Sequence, residues 1–204
     1  MTLAEDPFSD MLDGVASENV TPSGGAVTAL VGAAGASLCE MVCIHTVARE
    51  DGETDLEAVG ERLQSHRRRL LGLADEDAAA VERVQSAFRS SGTEREDVPS
   101  REAALTQATD LPLETASVCL AVLEEARAVT ENGTATAAAD ALTGLFLAHA
   151  ALRAAVWTAR ANLALLDDDA VVSERAERLS DLEAAGQAAF DRASTAARER
   201  CQPP

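Results

Sequence analysis

The chain has 204 residues, of which 35 are acidic and 17 basic, and its net charge at pH 7 is −18. This length suits one domain with its own core, and so strong an acidic excess argues against nucleic-acid binding, which needs a basic surface. Every basic residue is arginine, and aromatic residues make up 2% of the chain. A lysine-free, alanine-rich, acidic composition is typical of proteins from a cytoplasm at very high salt, where screening confines charge repulsion to about 3 Å at 1 M.

We expect no N-terminal signal peptide, because Met1–Asp13 is acidic rather than basic and then apolar. The most apolar stretch, Ala26–Leu38, is too short and too rich in Gly and Ala for a membrane span of about 18 residues. We therefore expect a cytoplasmic protein that contacts no membrane. The four cysteines should be reduced, and buried ones should act as small apolar residues. Cys39-x₃-Cys43-x-His45 lacks a second pair of zinc-like ligands, so we expect no metal.

Helix-favouring residues, with apolar positions every three or four residues, predict one all-α domain over 1–204, a bundle of five to six long helices. Ser100 should cap the fourth helix, and Pro112 should bend it because proline has no N–H. The fifth helix is apolar on more than one face, as at the centre of a bundle or against a partner subunit, and Asp167–Asp169 ends it. The predicted helices cover about 8–16, 24–49, 55–88, 100–132, 134–166 and 172–200, with loops at 18–23, 50–54 and 90–99.

The turn Thr21-Pro22-Ser23-Gly24-Gly25 opens directly into a helix of small residues. Two glycines at a helix start leave backbone N–H groups uncovered, and the helix dipole there favours an anion or the polar edge of a ligand. The small side chains that follow allow another helix, or a flat ligand, to approach the backbone closely. This turn is therefore a candidate binding site.

Three polar residues stand among small or apolar ones. Asp77, in Asp75-Glu76-Asp77, is either a surface acid of a salt-adapted helix or a partly desolvated carboxylate able to act as general acid or base. Asp140, flanked by alanines, is either a first-turn acid favoured by the helix dipole or a functional carboxylate. Asn162 must find a hydrogen bond if it is buried, either between helices or to a ligand. No spacing predicts a Ser or Cys nucleophile beside a histidine.

Several segments, taken in order and spacing, resemble the cyclodeaminase/cyclohydrolase family over about Phe8–Ala197. The family pattern has a Pro-Gly-Gly-Gly-Ser-Val turn, a Met-Val pair with a following Thr and basic residue, an Asp-x-Asp-Ala-x-Ala-Phe helix and a Val-Pro-Leu turn. It ends with a Gly-Asn-x-x-x-x-Ser-Asp stretch that leads into a helix carrying Asn-Val-x-x-Asn-Leu. The matching segments here are Pro22-Ser23-Gly24-Gly25-Ala26-Val27, Met41-Val42 with Thr46 and Arg49, Asp75-Glu76-Asp77-Ala78, Leu111-Pro112-Leu113, and Gly133-Thr134 through Ala139-Asp140 to Asn162-Leu163.

This resemblance implies a cyclodeaminase-like helical fold, a homodimer, and a folate one-carbon derivative as substrate, with no tightly bound cofactor. The activity it implies first is cyclohydrolysis of 5,10-methenyltetrahydrofolate to 10-formyltetrahydrofolate. Cyclodeamination of formiminotetrahydrofolate, which releases ammonia, is the alternative. A further alternative is a non-catalytic folate-binding or assembly paralogue, because the chain departs from the family pattern at Ser23, Ala26, Thr134, Ala139 and Thr158.

The resemblance also implies the site residues. Asp77 and Asp140 would be paired proton-handling carboxylates in one pocket, and Arg49 would hold the glutamate carboxylate of the folate bidentately. The pteridine ring would lie beside the glycine turn. The substrate-binding residues implied in this way are Ser23, Gly24, Gly25, Thr46, Arg49, Asp75, Thr134 and Asn162.

Overall fold

A computed structural model describes residues 7–49, 55–89 and 101–201 of the chain. Within these ranges it contains six α-helices, one short 3₁₀ turn and no strand, which confirms the predicted all-α bundle. The predicted loops at 50–54 and 90–99 and the Ser100 cap lie outside the described residues. The helices are α1 (Phe8–Val15), α2 (Gly24–Val47), α3 (Asp55–Arg89), α4 (Arg101–Asn132), α5 (Ala138–Leu163) and α6 (Asp169–Cys201), and the 3₁₀ turn is Ala135–Ala137.

The two largest differences from the predicted boundaries lie around α5. The prediction starts this helix at Thr134, whereas the chain first makes the 3₁₀ turn and enters α5 at Ala138. After α5, the aspartate run begins the next helix rather than only ending the last one. The Oδ1 atom of Asp168 accepts the N–H groups of Ala170 and Val171 at 2.9 and 3.2 Å, the arrangement of a helix N-cap.

α2 and α5 form the centre of the bundle and pack so closely that their backbones touch. A Cβ atom added to Gly35 of α2 would lie 2.8 Å from the carbonyl oxygen of Gly144 and 2.9 Å from the amide nitrogen of Ala148, both on α5. The small residues of α2 therefore serve helix packing, one of the two uses expected from the sequence. Fully buried alanines continue the contact along α2.

Ion pairs between the outer helices show how the helices run. Arg62 and Arg69 of α3 pair with Glu125 and Glu114 of α4 at 2.6 and 2.7 Å, so α3 and α4 are antiparallel. Such partly exposed pairs contribute only about 0–1 kcal/mol each to the stability of the fold, so their main value here is to show the direction of the helices. Hydrogen bonds of Ser23 to Asp77 and of Asn162 to Ala108 add the ends of α2 and α5. The start of α2, the C-terminal part of α3, the start of α4 and the end of α5 therefore lie at one end of the bundle, which we call the glycine-turn end.

By length and composition alone, α2 and the segment Ala135–Leu163 could each cross a membrane. Both are longer than Ala26–Leu38, the stretch considered from the sequence, and the expectation of no membrane contact stays a prediction. About half of the most apolar 18-residue window of each segment is buried, and core helices of soluble bundles meet the same criterion. Their outer faces carry apolar side chains, with Ile44, Phe146 and Trp157 exposed to 59, 45 and 61%.

Candidate active site

The glycine turn and Asp77 lie in direct contact at the glycine-turn end of the bundle. Asp77 comes from α3 and is only 9% exposed. Its Oδ2 atom accepts a hydrogen bond from the Ser23 hydroxyl at 2.6 Å, and its carboxylate also accepts the backbone N–H of Ala26. The turn does bind an anion at a helix start, and that anion is the chain's own carboxylate.

The two glycines of the turn have different surroundings. A Cβ atom added to Gly25 would lie 2.6 Å from Cγ of Asp77 and closer still to its Oδ1, whereas one added to Gly24 would meet nothing within 4 Å. Gly25 is therefore needed for the close approach of the carboxylate. Gly24 faces open space at the same end of the bundle.

Opposing effects act on the Asp77 carboxyl. Burial raises its pKa above the ordinary value, because desolvation disfavours the charged form. The hydrogen bonds from Ser23 and from the Ala26 N–H act the other way and lower the pKa, since both favour the charged form. Of the two alternatives drawn from the sequence, Asp77 is thus the partly desolvated carboxylate and not a surface acid. Asp75, two residues earlier, is half-buried.

Asn162 lies at the same end of the bundle and joins two helices there. Its Nδ2 atom donates to the carbonyl oxygen of Ala108 in α4 at 2.7 Å. The helical partner of that carbonyl would be the N–H of residue 112, which is Pro112 and has none. Asn162 therefore replaces the hydrogen bond that the proline removes, and α4 runs unbroken from Arg101 to Asn132. Of the two alternatives for Asn162, the structure has the hydrogen bond between helices. A role for Asn162 in ligand binding stays a prediction.

A second group of predicted residues lies where α2 ends, at what we call the threonine end. The Thr46 hydroxyl accepts the backbone N–H of Thr134 at 2.8 Å and donates to the Val42 carbonyl at 2.8 Å. Nη1 of Arg49 donates to the hydroxyls of Thr134 and Thr136 at 3.2 and 2.8 Å. Thr46, Arg49 and Thr134 are therefore brought together as one hydrogen-bonded cluster.

The two groups of residues are far apart within one chain. Ser23 is the N-cap of α2 and Thr46 lies in its last turn, so a rise of about 1.5 Å per residue separates them by about 34 Å. Asp140 is exposed in the first turn of α5, and the contact of Gly35 with Gly144 places it roughly 20 Å along α2 from Asp77. The expectation that Asp77 and Asp140 share one pocket is therefore wrong for a single chain, because α2 and α5 are antiparallel.

Sequence reasoning missed two polar features near α2. Thr136 completes the hydrogen bonds of Arg49. Glu40, only 8% exposed, accepts from Arg67 at 2.8 Å and from Gln64 at 3.3 Å. Glu40 is a lone acid in an apolar helix, the same signal that drew attention to Asp140. A groove of about 360 Å³ between α2 and α3 is lined by Glu40, Cys43, Ile44, Val47, Leu56 and Gln64, none of which was predicted as a site residue.

Comparison with known proteins identifies the kind of bundle. The structure matches formiminotetrahydrofolate cyclodeaminase from Thermotoga maritima with a TM-score of 0.86, over 96% of this chain and 97% of that chain, at 27% sequence identity. The methenyltetrahydrofolate cyclohydrolase of Methylorubrum extorquens is 36% identical over 178 residues, which are 84% of this chain and 86% of that protein. The fold is thus an all-α bundle of the cyclodeaminase type.

The family follows from the extent of the sequence match. The family model described as formiminotransferase-cyclodeaminase matches residues 7–181. The chain belongs to the formiminotransferase-cyclodeaminase family, and the resemblance drawn from its motifs is confirmed.

Proposed function

We propose that this chain is a methenyltetrahydrofolate cyclohydrolase that converts 5,10-methenyltetrahydrofolate and water into 10-formyltetrahydrofolate. The observation that carries the proposal is the buried carboxylate of Asp77 beside the glycine turn. The similarity to the Methylorubrum extorquens cyclohydrolase supports the same reaction. The open space beside Gly24 is where the pteridine ring would lie.

The chemistry asks for a base and then an acid. The substrate carries an amidinium cation, so its bridging carbon is already electrophilic and no metal is needed to activate it. Water adds to this carbon and loses a proton to the base. The bond from the carbon to N5 then breaks as the added hydroxyl loses its own proton and becomes the formyl oxygen, and N5 takes up a proton. Two protons are lost and one is taken up, so one proton is released overall, and the formyl group stays on N10. A carboxyl group whose pKa is raised by burial is a stronger base than an exposed one, which suits it to accepting a proton from water and returning it.

A homodimer would complete the site. The glycine-turn end and the threonine end each hold only part of the predicted residues, and the outer faces of α2 and α5 between them expose Ile44 and Trp157. In a two-fold dimer formed through these faces, the antiparallel partner's threonine end would lie beside the glycine-turn end. Asp140 and Arg49 of one chain would then face Asp77 of the other, with Arg49 on the folate glutamate carboxylate.

Complementation tests this assembly. Dimers of Asp77→Asn alone and of Asp140→Asn alone should be inactive. In a hybrid dimer, one of the two sites combines the intact Asp77 of one chain with the intact Asp140 of the other, so that site should be active. A random mixture should therefore recover about a quarter of the wild-type activity. A mixture as inactive as its parents, or a monomer in sedimentation velocity, contradicts the shared site.

The reaction itself is tested by the loss of the near-ultraviolet absorbance of methenyltetrahydrofolate in molar KCl, with spontaneous hydrolysis subtracted. We expect turnover by the wild type and only the background rate with Asp77→Ala. Equal rates for the two chains would exclude Asp77 from the reaction. No turnover by the wild type would support the non-catalytic folate-binding alternative.

The second candidate is cyclodeamination, in which a folate nitrogen attacks the formimino carbon and ammonia leaves. The similarity in fold to the Thermotoga maritima cyclodeaminase favours it. Incubation with formiminotetrahydrofolate and measurement of ammonia separates the two reactions. If ammonia is released faster than methenyltetrahydrofolate is hydrolysed, cyclodeamination becomes the first candidate activity and cyclohydrolysis the second.

A further inference from the structure

Ser23 occupies the N-cap position of α2 but makes no cap hydrogen bond of its own. A serine there usually accepts the N–H of the second or third helical residue. Here the third residue is Ala26, and its N–H is donated to Asp77 of α3 instead. The Ser23 hydroxyl donates to Asp77 as well, at 2.6 Å. Asp77 thus caps α2 in place of Ser23, and the serine hydroxyl is committed to the carboxylate.

The other oxygen of the Asp77 carboxylate packs directly against the backbone of the turn. Its Oδ1 atom lies against Gly25, where a Cβ atom would not fit, while Oδ2 takes the Ser23 bond. A hydroxyl that donates to a carboxylate forms a charge-assisted hydrogen bond, which is short and stronger than a neutral one. Among the described residues, Ser23 is the only side chain that forms a hydrogen bond with Asp77; the other donor is the backbone N–H of Ala26.

We propose that Ser23 is a positioning residue that fixes the orientation of the Asp77 carboxylate and favours its ionised form. The proposal rests on the proposed function, since it gives the proton-handling group of that reaction its working state. It also reassigns Ser23, which the sequence motifs suggested as a substrate ligand.

The consequence for Asp77 has a definite direction. Burial raises the pKa of Asp77, and the bonds from Ser23 and Ala26 lower it. Without the Ser23 hydroxyl, only the backbone N–H opposes burial. The carboxyl should then hold its proton more tightly, so its pKa should rise further above the ordinary value.

The test is a ¹³C NMR titration of the Asp77 carboxyl in molar KCl, assigned by comparison with Asp77→Asn. In Ser23→Ala and in Ser23→Gly we expect the carboxyl to bind its proton about tenfold more tightly than in the wild type. Ser23→Thr, which keeps the hydroxyl, should restore the wild-type titration. The matched control is Ser37→Ala, because the Ser37 hydroxyl in the same helix donates to the Ala33 carbonyl and its loss should leave Asp77 unchanged.

Activity gives a second readout. The acid limb of the pH profile of methenyl hydrolysis should move to higher pH in Ser23→Ala and not in Ser37→Ala. An unchanged Asp77 titration in a folded Ser23→Ala chain overturns the proposal even if the enzyme is active. Conversely, a chain without activity refutes the proposed function, while the titration still decides whether Ser23 controls Asp77.

Discussion

The contact between Gly25 and Asp77 can be tested with a matched pair of glycine substitutions. Gly25→Ala places a methyl group where the Asp77 carboxylate lies, whereas Gly24→Ala places it in open space. Both glycines are in the first turn of α2, and neither has a positive φ, so alanine fits the backbone at both positions. The two variants therefore differ only in whether the carboxylate must move.

The size of the effect follows from the bonds that the carboxylate would lose. Asp77 accepts from Ser23 and from the Ala26 N–H, and a hydrogen bond to a charged group contributes about 1.5–3 kcal/mol. Replacing glycine by alanine gains about 0.4–1 kcal/mol through the unfolded chain. Gly24→Ala should therefore raise stability by that gain, whereas Gly25→Ala, which would lose both bonds, should lower it by about 2–5 kcal/mol. For a chain of this size the two midpoints of thermal unfolding should differ by roughly 6–24 °C.

The assay is thermal unfolding followed by circular dichroism at constant KCl, with hydrolysis of methenyltetrahydrofolate measured on the same samples. A third chain, Gly25→Ala with Asp77→Ala, removes the group that the methyl displaces, so Gly25→Ala should cost nothing in that background. Equal stability of Gly25→Ala and Gly24→Ala would show that the Asp77 carboxylate is not held against Gly25.

Three further predictions concern the same fold. Because burial raises the pKa of Asp77 in the folded chain, its stabilising contribution is complete below the unfolded pKa of about 3.9 and is lost as the pH rises through the folded pKa. Asp77→Asn should therefore gain stability relative to the wild type between acid and neutral pH, as measured by the free energy of unfolding at each pH; a constant difference contradicts this. Asn162→Ala should lower the free energy of unfolding by about 1 kcal/mol. The loss should be much smaller in a Pro112→Ala background, where the N–H of residue 112 can bind the Ala108 carbonyl. If the two substitutions have additive effects in denaturant unfolding, Asn162 does not replace the hydrogen bond that Pro112 removes. Gly35→Ala should cost about 1–3 kcal/mol through the α2–α5 contact, while Gly72→Ala, whose Cβ would meet only ordinary contacts beyond 3.7 Å, should be neutral or stabilising.

A last prediction concerns the charge of −18. Raising KCl from 0.1 to 1 M shortens the screening length from about 10 to about 3 Å. If the composition is an adaptation to salt, the midpoint of thermal unfolding should rise over this range, and a midpoint that falls would argue against that interpretation.

The helices were predictable from the sequence because their signals are local. Apolar periodicity and helix-favouring residues located α3 and α4 to within about one residue at each end that the structure describes. The start of α5 was misplaced because alanine-rich sequence fits a 3₁₀ turn as well as an α-helix. The aspartate run was read as a break, whereas Asp168 also caps α6.

The site was predictable in its parts and not in its arrangement. The motifs pointed to Asp77 and to the glycine turn, and the structure brings these together. Spacing along the chain contains no information on which helix ends meet, so the separation of Asp77 from Asp140 could not be read from it. The bond of Asn162 to the carbonyl freed by Pro112 joins residues 54 positions apart, and only the packing of α4 on α5 reveals it.

The glycine turn thus has a different use from the one its sequence suggested. A helix start with uncovered N–H groups is a ready anion site, but here Asp77 fills it and Gly25 makes room for that carboxylate. A folate substrate therefore cannot use the Ala26 N–H or the Ser23 hydroxyl without displacing Asp77 from them. It would have to approach the carboxylate from the side that Gly24 leaves open, and a side chain larger than alanine at that position should then weaken substrate binding before it affects the fold.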